Sequence, residues 1–246
     1  MARAVAGAGR LSVAELATEY DVTTETVRRD LSALEQMGLV RRVHGGAVPA
    51  TALTSIEPAL AARDAERTEE KDRIAAAALA QLPPAGATVL LDAGSTTVRL
   101  AERLPRGHQL VVYTHAVPVA ARLAVNAGVE LHLLPGRVRL TTQAAVGAAT
   151  VEAIAGLRVD VVFVGTNGVS VTHGLSTPDG DEAAVKRALV RAAQRVVVLA
   201  DSSKVGIEST VRFADLSQVD VLVTDSDLAE EQRKELEAAG VEVVVA

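Results

Sequence analysis

Cysteine is absent from the 246-residue chain, which removes disulfides and thiolate metal sites and is compatible with a reducing compartment. Aromatic residues are scarce, 2% against 49% hydrophobic overall, so any core is aliphatic and built mostly from Ala and Val. Also missing is an uninterrupted apolar run of about eighteen residues, and the amino terminus lacks a charged segment followed by an apolar one. The expectation is a soluble cytoplasmic protein that is not exported. Net charge is −6, which speaks against a broadly basic nucleic-acid coat. It leaves room for a sequence-specific binder whose arginines are placed locally. No cofactor motif and no metal-ligand set is read.

What is present is organised around Arg10 to Val48, RLSVAELATEYDVTTETVRRDLSALEQMGLVRRVHGGAV. Ser12 and Glu15 form an S-x-x-E capping box, which predicts a helix from Val13 that turns Leu16 and Ala17 inward and ends near Tyr20. Asp21 and Val22 supply a turn. Thr23 then caps a second helix whose Val27, Leu31 and Leu34 recur at steps of four and three, one buried face. The opposite face carries Thr24, Glu25, Thr26, Arg28, Arg29 and Ser32, residue types that read base edges from the major groove. Gly38 is the expected stop. Leu39 to Val43 predicts a short strand, His44, Gly45 and Gly46 its turn, and Ala47-Val48 the return. Such a wing brings Arg41, Arg42 and His44 to the phosphate backbone or the minor groove. The simpler reading is a solvated hairpin on an unrelated helical domain. Two helices and a wing in this order favour DNA binding, with Thr23, Thr24, Thr26, Arg28, Arg29, Arg41, Arg42, His44 and Gly45 as the contact set.

A unit of this size leaves roughly 190 residues, on the scale of one further domain. From Pro49 to about Pro58 the chain reads as a linker. A single helix is expected from about Leu60 to Leu82, ended by Pro83-Pro84. It suits a bridge between domains or a dimer contact, and equally a helix packed on its own sheet. Seven apolar runs follow: Val89–Leu91, Leu110–Tyr113, Leu131–Leu134, Val159–Val164, Val196–Ala200, Val221–Thr224 and Val241–Val245. Their near-continuous Val and Leu content, with helical patterns between several of them, predicts an α/β fold with a mainly parallel sheet covered on both faces.

Ligands of such sheets sit beyond the carboxyl ends of the strands. The first run is followed by Asp92, Ala93, Gly94, Ser95, Thr96 and Thr97 ahead of a helix, where amides and hydroxyls offer an anion site for a phosphate. No GK[ST] accompanies it, so nucleotide hydrolysis is not implied. Thr114 and His115 follow the second run, and Gly136 with Arg137 the third. The fourth ends in Gly165, Thr166, Asn167 and Gly168, then a polar loop from Gly174 to Asp179 containing Thr177, then a helix bearing Glu182 and Lys186. The fifth ends in Asp201, Ser202, Ser203 and Lys204. Each has a plain alternative: a helix cap for DAGSTT, a turn or core role for His115, and a surface ion pair for Glu182 with Lys186. Hydroxyls, an amide and a lysine gathered on one edge suit a polyhydroxylated phosphate.

TxETVRRDLxxLExxG with RRVHGGAV, and DAGSTT, VGTNGV, GLSTPD and LADSSK further on, resemble the DeoR family of bacterial transcriptional regulators over nearly the whole chain. The resemblance implies a winged helix-turn-helix over 1–50, a linker and the start of a bridging helix over 51–68, and a sugar-phosphate effector domain over 69–246. It also implies a homo-oligomer, in most cases a repressor, acting on a double-stranded DNA operator. The effector domain is similar to ribose-5-phosphate isomerase through a D-x-S-K strand end, but Asn167 stands where that enzyme has an acidic run and cannot act as a carboxylate. His115 stands where the family often has Asn. The family opens with a full helix, whereas MARAVAGAG, with two glycines, is a poor helix former. The expectation is a first helix missing or short, through a misplaced or truncated start or as a vestige, leaving Leu16, Val27, Leu31 and Leu34 short of cover. The resulting reading is a sugar-phosphate-responsive repressor of a sugar-catabolism operon, not an enzyme. The alternatives are an isomerase with Glu182 as base and Lys204 as electrostatic partner, and a ligand-binding protein with defective DNA binding.

Overall fold

A computed structural model describes residues 1–8, 11–36, 39–43, 45–49 and 59–246. The chain divides into two units, Met1–Leu53 and Thr54–Ala246. The first contains α1 (Ala2–Ala8), β1 (Leu11–Ser12), α2 (Val13–Glu19), α3 (Thr24–Gln36), β2 (Val40–Val43) and β3 (Gly46–Pro49). The capping box forms as expected: Ser12 Oγ accepts from the Glu15 amide at 3.1 Å and Glu15 accepts from the Ser12 amide at 2.7 Å. Thr23 Oγ1 accepts from the Thr26 amide at 3.2 Å at the start of α3. Gly38, expected as the stop of that helix, lies outside the described residues, as do Arg10, His44 and most of the expected linker.

The first helix, expected to be missing or short, is present and short, and the expected lack of cover over Leu16, Val27 and Leu31 does not arise. Residues Ala2–Ala8 form a helix of seven residues, short, with fully buried Val5 packed in one cluster with Leu16, Val27, Leu31, Val40 and Ala47. Burying a valine stabilises by about 1.5–3 kcal/mol, more than the roughly 1 kcal/mol that a helical glycine costs. Tertiary cover therefore wins over propensity. The small sheet has the order β1-β3-β2. Gly46 was expected in the wing's turn but is already paired, with Val43 on one side and Ser12 on the other. A Cβ there would lie 2.2 Å from the Leu11 carbonyl oxygen, so only glycine lets β1 close on β3.

The second unit opens with α4 (Leu60–Ala65) and α5 (Thr68–Ala78). The single helix expected over Leu60–Leu82 is thus broken, with Arg67 in the left-handed region at φ 49°. Local and long-range polar contacts together hold the break. Lys71 Nζ donates to the carbonyls of Arg63 and Glu66, and the Arg67 guanidinium reaches Asp227 at 2.7 Å and Asp225 at 3.3 Å. Helix α5 packs on the sheet of its own unit through Ile74, Ala75 and Ala78.

There follow β4 (Thr88–Leu91), α6 (Ser95–Arg103), β5 (Leu110–Thr114), α7 (Val117–Leu123), β6 (Val129–Leu133), β7 (Arg137–Arg139), β8 (Ala144–Val146) and α8 (Ala148–Ala155). The chain continues with β9 (Val159–Gly165), β10 (Gly168–Ser170), β11 (Gly174–Thr177), α9 (Gly180–Ala192), β12 (Ala193–Leu199), β13 (Val211–Ala214), β14 (Val221–Thr224), α10 (Glu230–Ala238) and β15 (Glu242–Val245). All seven predicted apolar runs become strands of one sheet, ordered β15-β14-β12-β9-β4-β5-β6, and every pairing in it is parallel. Alternate residues serve opposite faces. Val162, Val196, Val198 and Leu222 pack with Ile154, Leu189 and Leu236 of α8, α9 and α10. Val161, Phe163, Val197 and Val221 pack with Ile74, Leu100 and Val119 of α5, α6 and α7. The polar loop expected from Gly174 to Asp179 is instead mostly β11, which joins β10 and β13 in a small antiparallel sheet. Its alternation is too short to distinguish from a loop in sequence.

Candidate functional site

On the first unit, α3 presents a polar face over its buried Val27 and Leu31. Thr23, Thr24, Arg28 and Arg29 are exposed and Thr26 half-buried. Arg28 is paired with Glu25 at 3.3 Å, both side chains being exposed. Arg29 has no side-chain partner among the described residues. Arg42 of the wing folds back, its Nη1 donating to Ser32 Oγ at 2.8 Å, while its amide donates to Glu35 at 2.7 Å. The wing is therefore anchored to the helix whose face it extends. Gly45, at φ 79°, accepts from the Val13 amide through its carbonyl at 2.8 Å. The side chains of Arg41 and His44 lie outside the described residues.

On the second unit, parallel strands deliver Asp92, Thr114, Gly165, Asp201 and Asp225 to one sheet edge, as the order of the runs predicts. Asp92 is its hub. One oxygen accepts from His115 Nε2 at 3.0 Å, and the other accepts from the Gly165 amide at 2.9 Å and from Lys186 Nζ. Lys186 also donates to the Gly165 carbonyl at 2.9 Å, and His115 donates through Nδ1 to the Ala145 carbonyl at 2.8 Å. All three residues are at most 5% exposed. Burial alone pushes the Asp92 carboxyl up, but the Lys186 ammonium and His115 outweigh it and hold the group at about 2. Asp92, His115 and Lys186 thus spend their polar atoms on one another and tie β4, β5, β9 and α9 together.

Thr114 donates to the Leu91 carbonyl at 2.8 Å and accepts from the Ala116 amide at 3.1 Å. Thr177 donates to Asn167 at 3.1 Å. A Cβ on Gly136 would lie 2.1 Å from Thr150 Oγ1, and one on Gly168 2.3 Å from the Ile207 carbonyl oxygen, so both glycines have packing reasons. Arg137 is 67% exposed and reaches Asp181 at 2.8 Å. Glu182 and Lys186 do not form the surface pair offered as their plain alternative. Both are buried, and Glu182 accepts from Arg139 at 3.2 Å.

Free capacity lies at the start of α6. The first helical bond runs from the Val98 amide to the Gly94 carbonyl, so the amides of Ser95, Thr96 and Thr97 precede it. Thr97 Oγ1 is spent on the Gly94 carbonyl at 2.9 Å, whereas the Ser95 and Thr96 hydroxyls have no partner among the described residues. Lys204 is half-buried and likewise without a side-chain partner there. Asp201 accepts from Ser203, which rigidifies the turn that carries Lys204.

Three residues at this edge were not read from the sequence. Lys71 is 5% exposed, and burial draws its ammonium down to about 8; Asp201 opposes this while Lys204 and Arg99 add to it. Arg99 in turn donates to the Ser95 carbonyl at 3.1 Å, so Lys71, Lys204 and the start of α6 share one electrostatic neighbourhood. A signal existed: Lys71 falls on the stripe Ile74, Ala75, Ala78, where a lysine is out of place. Asp225, fully buried, follows its strand just as Asp92 and Asp201 follow theirs. Arg67 joins it from the α4–α5 break, and its long sequence separation gives no signal. A cleft of about 380 Å³ between α4, α6 and α7 is lined by Asp64, Asp72, Ser95, Arg99 and Arg103. Its arginines are already paired with Asp64 and Asp72, so it has little charge left for an anion.

The DeoR-like helix-turn-helix domain matches residues 1–52 and the DeoR C terminal sensor domain matches residues 66–226. The chain is 37% identical over 233 residues to the HTH-type transcriptional regulator GlpR of Haloferax volcanii, covering 95% of this chain and 90% of that one. It is 33% identical to the glycerol-3-phosphate regulon repressor of Escherichia coli strain K12 (89% and 85% covered), and 32% to the HTH-type transcriptional repressor GlcR of Bacillus subtilis (88% and 82%). Among solved structures, ribose 5-phosphate isomerase A of Methanocaldococcus jannaschii aligns with a TM-score of 0.41 at 18% identity, over 57% of this chain and 55% of that one. A TM-score this low carries no argument about activity.

Proposed function

This chain belongs to the DeoR family of transcriptional regulators, and from that premise we propose a DNA-binding repressor of a sugar-catabolism operon that is controlled by a phosphorylated sugar. The observation that carries the reading is the exposed polar face of α3, held by a capped helix-turn-helix and extended by a wing anchored through Arg42 and Ser32. Arg29, with no partner, is the side chain available to a guanine edge; Thr23, Thr24, Thr26 and Arg28 flank it, and Arg41, Arg42, His44 and Gly45 meet phosphates. Two copies reading half-sites about 34–36 Å apart, or at multiples of that spacing, would match an operator of two-fold symmetry.

For the effector, the amides of Ser95, Thr96 and Thr97 with two unspent hydroxyls form the phosphate cradle, and Lys204 with Lys71 supplies positive charge. The sugar hydroxyls face Asn167 and the Asp201 turn. Asp92, His115 and Lys186 act behind this surface, fixing the strand ends. Glu182, the base that an isomerase would need, is tied to Arg139, which supports a regulator over an enzyme. The effector shifts DNA affinity only by its preference for one arrangement of the protein. A gel-shift titration with a panel of sugar phosphates tests this. Operator affinity changes with at least one of them, and Lys204→Ala abolishes that response while leaving basal operator binding intact. Affinity unmoved by any member of the panel would sink the effector reading.

A further inference from the structure

The edge of the seven-stranded sheet at β6 carries a pattern that complements itself. In a parallel sheet the amide and carbonyl of alternate residues turn to alternate sides. The Gly128 carbonyl and the Leu134 amide both bond to β5, so Val129, Leu131 and Leu133 turn their backbone groups away from it. No described strand takes up that side. The Val129 amide is used by the Asn126 carbonyl at 3.1 Å, which leaves the amides and carbonyls of Leu131 and Leu133 and the Val129 carbonyl to be satisfied. Edges of this kind are templates for another strand.

We propose that β6 is the surface through which two copies of this chain associate, pairing antiparallel about a two-fold axis through Leu131. In that register Leu131 faces the partner's Leu131 and exchanges two hydrogen bonds with it, while the Leu133 amide meets the partner's Val129 carbonyl. Glu130 then lies opposite the partner's His132, and His132 opposite the partner's Glu130. Both are solvent-accessible in the single chain, 70% and 42% exposed, and they already pair along the strand at 2.9 Å. His132 is held in place by stacking on Tyr113, with ring centroids 4.5 Å apart and planes at 13°. The same axis brings the end bearing Leu133, 57% exposed, to the end preceded by Val125, 79% exposed. The opposite edge lacks this complementarity: self-pairing of β15 sets Glu242 against Val245 with no opposite charge to meet it. Two such edges joined make one continuous sheet, and a closed two-fold contact leaves neither β6 open to further strands.

The proposal rests on the homo-oligomeric part of the regulator reading and is separable from it, because self-association is measured without DNA. Sedimentation of the full chain is expected to show dimers or an even multiple of them. His132→Glu creates two like-charge pairs, and Glu130→Lys sets an ammonium against each imidazole in place of the carboxylate that accepts from it; each weakens association by about tenfold or more. The double variant restores opposite charges and returns to within about threefold of the original. Because the chain has no cysteine, Leu131→Cys adds its sole thiol. The two thiols would sit on backbones about 5.5 Å apart, within reach of a disulfide, so an added oxidant yields a covalent dimer, whereas Val245→Cys yields none. A chain monomeric at its highest soluble concentration, an oligomer indifferent to both single substitutions, or a double variant no better than either single one would each overturn the proposal. So would equal cross-linking at residues 131 and 245. Circular dichroism of each variant separates lost pairing from lost folding, and unaltered gel shifts by a monomer would retain the regulator and discard the surface.

Discussion

The polar groups of α3 and those around Asp92 are handled in opposite ways. On α3, Arg28 and Arg29 stay in solvent, and Arg29 is unpaired among the described residues. Around Asp92 three charged or titratable side chains are sealed from water and each polar atom meets another. A surface that reads a polyanion keeps its donors hydrated, so that only counterions need be displaced. A buried charge cannot wait for a ligand in this way, because an unpaired ion in the interior costs several kcal/mol. The difference separates side chains left available to a partner from side chains that hold their own sheet edge in shape.

The largest test of that contrast is Lys186→Met. It leaves Asp92 buried without the ammonium that neutralises it, and unfolding in urea should show a loss of about 3–5 kcal/mol. An effect below 1 kcal/mol would mean that water reaches Asp92 and that the two regions are alike. Next, Leu31→Ala opens a cavity under α3 and should cost about 2–5 kcal/mol of the stability of the first unit, with operator binding falling in parallel. Arg29→Ala should leave the unfolding curve in place and weaken specific operator binding by about 1–3 kcal/mol. A loss equal for all DNA sequences would put Arg29 on the phosphate backbone instead.

The last test concerns pH. The Asp92 carboxyl sits at about 2 in the folded chain, below its ordinary 3.8. Its contribution is complete above pH 3.8 and disappears as pH falls through about 2. Lys71 runs the other way, since about 8 in the folded chain against 10.5 ordinarily means that the unfolded chain binds more protons between those values. Stability should rise with pH in that window. Lys71→Met should flatten the rise, as read from urea midpoints between pH 7 and 10; an unchanged slope would assign it to another group.

Much of the architecture was legible in the chain itself. Val159 to Val164 reads as a buried strand because five of its six residues are apolar and Asp160 alone interrupts them, and Ser12 with Glu15 announces a helix start that needs no distant partner. The candidate site was legible at the level of which loops meet, since strand order in a parallel sheet sends every carboxyl end to one side. Roles were not legible. Lys186 looked like the partner of Glu182 four residues away, and it pairs with Asp92, 94 residues away. Thr114 reads as available to a ligand and is spent inside, whereas His115 takes the turn or core role offered as its plain alternative.

Sequence by itself determined the helix-turn-helix, the seven strands and the cluster of small polar loops, because periodicity, caps and apolar runs act over a few residues. Tertiary structure decided that Ala2–Ala8 is helical, that the chain breaks at Arg67, and which polar side chains are sealed. Each of these depends on groups far apart along the chain. Val5 is covered by Leu16 and Leu31, Arg67 is drawn to Asp225 and Asp227, and Asp92 is ionised because α9 brings Lys186 to it. Burial and charge pairing are properties of the packed chain, and only once it is packed do they separate a contact residue from a structural one.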